Sequence, residues 1–453
     1  MSGLSPAHRA ALAALLANCG EPLLRSVSAA VAQLPGARAA ELRLMLSEEL
    51  RDRRRRALVF APVAPMFRPR ADGVAAMTFP AEVLPRLWRL ACEGEPHLLP
   101  RLDDASDPDA AAVADRICRA AASRVRDRPE IVWPVDLAPG CRETGLWDLA
   151  ACLDLAPLAR RSLPSIDVWL RRPDGDQLAE LRLLVKDCAA VHADGARRLL
   201  EMLLAHLEDA VLVLRIVTRT SGVAGREGFL SSSELADFVD RLLAGVHVRA
   251  ARLAAWRPGE GGDLQPVVAN LEWCAAVLAE LDVTLTLDPE SPWGRAVREA
   301  RLLLGDWLAG LLRAADKAVD RALPLANVRI AGRMSRKAPL LTAPARGEAV
   351  DAAFALLRLI GAARGATATF GCEGERRTLV EGLVARLTLY ADEVLLMVND
   401  GEAPDEDHAL KLALVAARYL ELIDAAPAGR TVRRRAAVAG GSGSQDEASS
   451  RAA

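Results

Sequence analysis

The sequence predicts an all-α fold, either a multi-helical bundle or a short α-solenoid of long antiparallel helices. Aromatic residues make up only 4% of the 453 residues, and β-branched residues are few beside the many alanines and leucines. This composition favours helices packed on helices over sheets. Long stretches of the chain also repeat apolar residues every three or four positions, the spacing that places them on one face of a helix.

The N-terminal segment contains three successive helical patterns, from residue 5 to about residue 57. Gly20-Glu21-Pro22 and Pro35-Gly36 separate them, because glycine and proline favour turns over helix. Ser5-Pro6 supplies an N-cap and a first-turn proline to the first pattern. The third pattern ends in Arg51–Arg56, where the negative end of the helix dipole favours arginine.

A proline-rich connector follows at residues 58–80. Its prolines cannot continue a helix, so we expect an extended chain there. Two stretches, 57–60 and 73–79, predict a minor β-hairpin in this N-terminal domain. We expect the apolar side chains of the connector to be buried rather than exposed beside the arginines; they include Phe60, Met66 and Phe67.

The rest of the chain is predicted to be mostly helical. The longest pattern begins at Ser291-Pro292, runs over about 292–323 and keeps one face apolar for about eight turns. Its serine and proline suit the first turn of a helix. Further helices are expected at about 81–93, 108–127, 143–160, 176–193, 196–219, 233–256, 264–282, 348–364, 375–399 and 405–425.

These patterns and the passages between them predict the domain organisation. The expected segments are an N-terminal helical domain (1–135), a central helical bundle (141–323), a basic linker (324–347), a C-terminal helical segment packed on the central bundle (348–427) and a disordered tail (428–453). The first boundary follows from the proline-rich residues 128–140, since such stretches commonly join domains. The tail lacks apolar periodicity and is rich in glycine and serine, which predicts disorder.

Charge and cysteine content argue against several kinds of site. The net charge is −2, so no global positive field would hold DNA or RNA. The eight cysteines include no C-x-x-C pair and the six histidines show no metal-ligand spacing, so we predict reduced thiols, no metal and no cofactor. No apolar run reaches the roughly 18 residues of a membrane span. We expect a cytoplasmic protein, and the many arginines beside four lysines indicate a bacterial source.

Three basic patches are the candidate contact sites for a polyanion or a partner. They consist of Arg53, Arg54, Arg55 and Arg56; of Arg333, Arg336 and Lys337; and of Arg433, Arg434 and Arg435. No aromatic residues are interleaved with these cations and no reading helix is recognisable, so nucleic acid is not the predicted partner. The alternative interpretation is that they are charged helix ends and linkers, where runs of like charge commonly lie.

The absence of a catalytic signature leads to three hypotheses about function. The leading one is a non-catalytic helical interaction protein, a scaffold, adaptor or regulator that binds a protein partner through an interhelical groove. The second is a helical enzyme or a small-anion-binding regulator, with a site assembled from dispersed arginine, aspartate, glutamate and histidine residues. The third is peripheral binding to an anionic membrane or to nucleic acid through the basic patches.

Arginines such as Arg215 are candidates for the second hypothesis. Arg215 lies in an otherwise apolar helix, and a buried arginine needs a carboxylate or an anion as partner. The favoured alternative is an Arg215 at the edge of the helix whose charged end reaches water. Cys372 precedes a helix whose dipole would stabilise a thiolate, but no base is visible near it, so no nucleophile is predicted there. A deep polar pocket lined by titratable groups from several helices would favour this hypothesis, whereas a large apolar groove would favour the leading one.

Overall fold

The structure of the protein is a computed structural model. It describes residues 5–103, 109–171, 174–207, 209, 211–220, 227–231, 233, 235–257, 263–331 and 334–450. The chain divides into two compact units. Unit 1 consists of Met1–Ala224 with Leu230–Phe238, and unit 2 consists of Gly225–Phe229 with Val239–Ala453. The predicted boundary at residues 128–140 falls within unit 1, and the five-segment organisation stays a prediction.

Helices make up most of both units, which confirms the all-α prediction. Unit 1 contains α1 (Pro6–Asn18), α2 (Glu21–Ala32), α3 (Ala37–Val59), α4 (Val83–Gly94), α5 (Ala110–Asp127), α6 (Pro129–Val132), α7 (Arg142–Arg171), α8 (Gly175–Val191), α9 (Gly195–His206) and α10 (Val211–Thr220). Residues of both units belong to α11 (Glu227–Ser231) and α12 (Ala236–Ala255). Unit 2 continues with α13 (Gln265–Thr284), α14 (Pro292–Ala322), α15 (Glu348–Ala362), α16 (Arg364–Thr367), α17 (Glu373–Asn399), α18 (Glu406–Leu422) and α19 (Ala426–Ser450).

The predicted caps at the starts of α1 and α14 are confirmed. The Ser5 hydroxyl accepts a hydrogen bond from the backbone N–H of His8, at 3.3 Å. The Ser291 hydroxyl accepts one from the N–H of Gly294, at 2.8 Å. Each bond satisfies an N–H group that the first turn of a helix leaves without an intrahelical partner.

The β-hairpin predicted in the proline-rich connector is wrong. Helix α3 continues to Val59, and Ala64–Phe67 forms a 3₁₀ turn. One backbone hydrogen bond, from Phe79 N to Met66 O at 2.8 Å, joins the two parts of the connector. Prolines cannot donate to a strand ladder, so this segment packs through its side chains instead. The predicted burial is confirmed, because Phe60, Met66 and Phe67 are all buried.

A hairpin forms instead within the segment predicted as a basic linker. Strand β1 (Leu325–Ala331) pairs antiparallel with β2 (Met334–Pro339), with Leu325 opposite Pro339. Proline is tolerated at this position because both strands of a two-stranded sheet are edges. Strands therefore form at residues 325–331 and 334–339, where none was predicted, and the role of this segment as a linker stays a prediction.

Residues 428–440, the first half of the tail predicted to be disordered (428–453), are a packed part of α19. Val432 and Ala436 are buried, and α19 packs along α18 and α17. Arg433 forms a two-bond ion pair with Glu421, at 2.8 Å for each bond. The expectation of disorder is wrong for these residues, because small side chains let α19 lie close to α18 and its arginines find carboxylates there.

Candidate functional site

A cavity of about 940 Å³ lies between α15 and α18 in unit 2. We call it the basic cleft. Its walls come from the loop before α15, the first turns of α15, one face of α18 and a single side chain of α19. The lining residues are Pro344, Ala345, Arg346, Val350, Asp351, Phe354, His408, Lys411, Leu414, Val415, Arg418, Tyr419 and Arg433.

Helix periodicity places the α18 residues on one side of that helix. His408, Lys411, Val415 and Arg418 follow each other at intervals of three or four residues, so they form one face. The opposite side of α18 belongs to the core, where Leu412 and its neighbours are buried. The cleft therefore lies on a helix that the core holds in place.

Two hydrogen bonds fix the walls of the basic cleft to each other. The buried Tyr419 hydroxyl donates to the carbonyl oxygen of Val350, at 2.8 Å, and so joins α18 to α15. His408 Nε2 lies 2.8 Å from the carbonyl oxygen of Ala343. Because a carbonyl only accepts, Nε2 carries the proton and donates. This second bond ties the loop that bears Arg346 to the start of α18.

The cations of the cleft differ in how far their charges are paired. Arg346 and Lys411 are exposed, and neither makes a hydrogen bond or ion pair with a residue that the structure describes. Arg418 stacks on Phe354, with its guanidinium carbon 3.9 Å from the ring centroid. Arg433 is held by Glu421. Four cations thus face the cleft, against Asp351 as the one carboxylate in the described lining.

Tyr419 serves as a structural group of the cleft. Burial raises the pKa of its hydroxyl, the nearby Asp351 carboxylate raises it further, and Arg418 acts in the opposite direction. The hydroxyl therefore stays protonated at neutral pH and keeps its bond to Val350. This arrangement can bind and orient an anion, because its cations lie on a surface that is partly apolar.

A second depression, in the same unit, runs between α14 and α17. It consists of cavities of about 700 Å³ and about 170 Å³ that share Arg386. We call it the interhelical groove. Leu312, Leu379 and Leu383 line the larger cavity, where Gly374 and Gly382 leave room. The smaller cavity is lined by Tyr390, whose buried hydroxyl has no hydrogen-bond partner in the described residues.

Two of the four arginines of the first basic patch form ion pairs inside unit 1. Arg53 Nε donates to Glu49 at 2.6 Å, and its NH2 group donates to the carbonyl oxygen of Leu16 at 2.9 Å. Arg55 Nε donates to Asp103 at 2.7 Å, and this contact holds the pKa of the Asp103 carboxyl below its usual value. Arg54 is exposed and Arg56 is half-buried.

The residues of the other two basic patches lie in different environments. Arg333 lies outside the described residues. Arg336 and Lys337 are exposed on β2, and Lys337 lines the smaller cavity of the interhelical groove. Arg434 is exposed on α19, and Arg435 pairs with Asp392. Among the patch residues that the structure describes, Arg433 alone lines the basic cleft. Their binding of a polyanion stays a prediction.

Arg215 and Cys372 belong to different units. Arg215 is half-buried, and its NH1 group donates to the carbonyl oxygen of Leu170 at 3.0 Å. Cys372 is buried, with its Sγ 3.6 Å from the carbonyl oxygen of Gly305. Burial raises the pKa of the Cys372 thiol, and Glu375 and Asp306 raise it further. The protonated thiol is therefore favoured, in agreement with the absence of a predicted nucleophile at this position.

Thiol labelling of the native protein is expected to follow exposure. Cys141 is exposed, whereas burial raises the pKa values of Cys118 and Cys274 to about 12. The thiolate is the reactive form, so Cys141 should react first with an aromatic disulfide reagent, and Cys372 should react only slowly. Peptide mapping after partial labelling measures the order. Faster labelling of Cys372 than of Cys141 would contradict the buried environment of Cys372, and a Cys141→Ser variant provides the control for the fast phase.

Arg346, Lys411 and Arg418 were not among the residues predicted from the sequence. One signal was present, because three cationic or titratable residues recur at helical spacing on α18 while the other faces of that helix are apolar. In the described residues, no three histidine, cysteine, aspartate or glutamate side chains cluster in a way that could hold a metal ion. None of the described helices combines the length and the apolar character needed to cross a bilayer.

Comparisons with known proteins found no match. No protein-family model, no curated protein and no solved structure matches the chain. The basis for a functional assignment is therefore the geometry of the two depressions in unit 2.

Proposed function

We propose that this protein binds a small organic anion in the basic cleft. The observation that carries the proposal is that three cations without an ion pair to the described residues face one lining carboxylate around a cavity of about 940 Å³; they are Arg346, Lys411 and Arg418. Ligand sites in proteins commonly enclose roughly 300 to 1,000 Å³ and combine an apolar lining with a few polar groups. The cleft has this size and this mixture, since Val350, Phe354, Leu414 and Val415 alternate with the cations.

The position of two cations without a described partner in one cavity supports the same proposal. Arg53, Arg55 and Arg386 all reach a carboxylate of the described chain. Arg346 and Lys411 do not, although they line the same cavity. Like charges that share a concave, partly apolar surface raise the local concentration of counter-ions. An organic anion would neutralise these cations and cover the apolar wall at the same time.

Calorimetric titration with octanoate and suberate tests the proposal. We expect both anions to bind with one site per chain and to bind more weakly as salt is added, because salt screens exposed cations. The neutral analogue octanol should bind much more weakly. The double variant Lys411→Met/Arg418→Met should lose the binding of both anions.

A matched double variant controls for the loss of two positive charges. Lys317 and Arg358 are exposed and lie outside the cleft, so Lys317→Met/Arg358→Met should bind octanoate and suberate as the unchanged protein does. The proposal fails if neither anion binds, or if the two double variants lose binding equally. Melting curves confirm that both variants are folded.

A second function, binding of a protein partner, is favoured by the interhelical groove. The groove extends from Gly374 to Glu393 along α17, which is about 28 Å at a rise of 1.5 Å per residue. This length would accept a helix of five turns, and the leucines of the floor would contact its apolar face. The proposal is a scaffold, adaptor or regulator that binds a helical segment of another protein there.

Filling the groove with a side chain tests this second function. A Cβ atom at Gly382 would meet nothing within 4 Å, so Gly382→Leu should leave the fold intact and occupy the groove. Gly310, on α14, is equally open and does not line the groove, so Gly310→Leu is the matched control. A partner captured from lysate should be lost with Gly382→Leu and retained with Gly310→Leu. Equal capture by both variants would refute the groove as the binding surface.

A further inference from the structure

We infer that the ligand of the basic cleft is a dianion, with one anionic group at each end of an apolar body. This inference rests on the proposed anion binding and concerns the same cleft. Its basis is the order of side chains along α18, where Lys411 and Arg418 are separated by Leu414 and Val415. The two cations are seven residues apart, which is about 10 Å along the helix axis.

The Arg418 end presents a planar donor group. Its guanidinium carbon lies 3.9 Å from the centroid of the Phe354 ring, so the ring holds the guanidinium in place, and none of its N–H groups is used in an ion pair with the described residues. A guanidinium edge forms paired hydrogen bonds with a carboxylate or phosphate. Stacking also reduces the freedom of the arginine, so less conformational entropy is lost when an anion binds.

Asp351 lowers the positive charge at this end of the cleft. It lies one turn before Phe354 on α15 and acts electrostatically on Tyr419, the neighbour of Arg418. Arg433, on α19, already forms two hydrogen bonds with Glu421. Recognition at this end therefore depends on the oriented donors of Arg418 rather than on a general excess of positive charge.

The Lys411 end presents a mobile point charge. Lys411 makes no ion pair with the described residues, and its ammonium group carries three donors on a flexible stem. His408, one turn before Lys411, is bonded to the carbonyl of Ala343 and so acts as a positioning residue for the loop that carries Arg346. This end can accept an anionic group of less restricted geometry.

Leu414 and Val415 determine the chemistry of the middle of the ligand. Both lie between the two cations on the face of α18 that lines the cleft. A polar body would lose hydrogen bonds to water on this surface without replacing them, whereas an apolar body gains from burial. The ligand class is therefore a chain or ring of carbon atoms with a carboxylate or phosphate group at each end.

Titration of the intact protein with matched ligands tests the two-ended site. Suberate and octanoate have eight carbons each and differ in one carboxylate. We expect suberate to bind about tenfold or more tightly than octanoate, because a charged hydrogen bond is added. Octane-1,8-bisphosphonate is the phosphorus counterpart, and a tighter complex with it than with octylphosphonate supports the same inference and identifies the anionic group.

Single variants separate the two ends. Lys411→Met and Arg418→Met should each weaken suberate binding about tenfold. Octanoate can bind in either orientation, so at least one of the two variants should leave its affinity within about twofold. Both residues are exposed, and melting curves confirm that each variant is folded.

Two results would overturn the inference, and they differ from failure of the proposed function. If octanoate binds as tightly as suberate and one variant alone removes both, the site is a single-anion site and the proposed function stands. If both variants weaken octanoate as much as suberate, the ends do not act separately. If no anion binds, the proposed function fails and the inference fails with it.

Discussion

Replacing Gly361 with alanine is expected to lower the free energy of unfolding by about 3 kcal/mol, at the upper end of the cost of overpacking. Gly361 lies near the end of α15, where this helix touches the end of α18. A Cβ atom on Gly361 would lie 2.2 Å from the carbonyl oxygen of Leu422. A backbone carbonyl cannot rotate away as the end of a flexible side chain can, so the two helices would have to separate.

The same substitution should also weaken anion binding. The helices that meet at Gly361 are those that carry Phe354 and Arg418, and Tyr419 is bonded to Val350 across the same pair. Thermal unfolding and suberate titration of Gly361→Ala measure both effects. The two effects should appear together, because one helix separation causes both.

Gly310→Ala is the control, and this substitution is expected to raise the free energy of unfolding rather than lower it. A Cβ atom at Gly310, in the middle of α14, would meet nothing within 4 Å. Alanine in a helix interior is favoured over glycine by about 0.5 to 1 kcal/mol, because glycine loses more backbone freedom on folding. A Gly361→Ala protein as stable as Gly310→Ala would show that α15 and α18 do not approach as closely as the structure has them.

The long helices could be predicted from the sequence because each carries its own evidence. The predicted helix at about 292–323 corresponds to α14 (Pro292–Ala322), with Ser291 as its cap. Apolar side chains such as Leu304, Leu308 and Ala315 recur at helical spacing and are buried. Periodicity and caps are local properties, so they do not require knowledge of what lies across the core.

The hairpin was predicted in the wrong place because strand formation is less local. In the connector, prolines remove backbone donors, and the apolar side chains are buried without a ladder. In the segment that does form β1 and β2, the cations on β2 suggested a solvated linker. An antiparallel pair needs two complementary backbone edges, and one strand contains no information about its partner.

The basic cleft was not predicted, and the helical spacing of the α18 cations alone would not have located it, because the pairing of charges is a tertiary property. The candidate sites predicted from the sequence were the densest arginine runs. Folding brings carboxylates to several of these arginines, namely Arg53, Arg55, Arg433 and Arg435. Lys411 and Arg346 stand apart from any run. The fold brings them to one cavity, although 65 positions separate them in the sequence. Charge density along a chain therefore does not by itself locate a binding site.

Replacing Trp133 with alanine is expected to destabilise the protein by about 3 to 5 kcal/mol, the usual cost of truncating a buried aromatic residue. Trp133 is fully buried in unit 1, and its indole N–H donates to the carbonyl oxygen of Leu137 at 2.6 Å. Its ring covers Gly145 of α7, where a Cβ atom would lie 2.5 Å from the ring. Arg142 Nε donates to the Trp133 carbonyl oxygen at 2.7 Å.

This variant also tests the domain boundary that the prolines of residues 128–140 predict. A flexible junction would tolerate loss of the indole, whereas a passage packed on the start of α7 would not. Trp147 is the matched control, because it lies two residues beyond Gly145 on α7 and 64% of it is exposed. Trp147→Ala should change stability by no more than about 0.5 kcal/mol. Denaturant unfolding measures the stability of both variants. Equal free energies of unfolding would support the predicted domain boundary, since Trp133 would then lie outside any core.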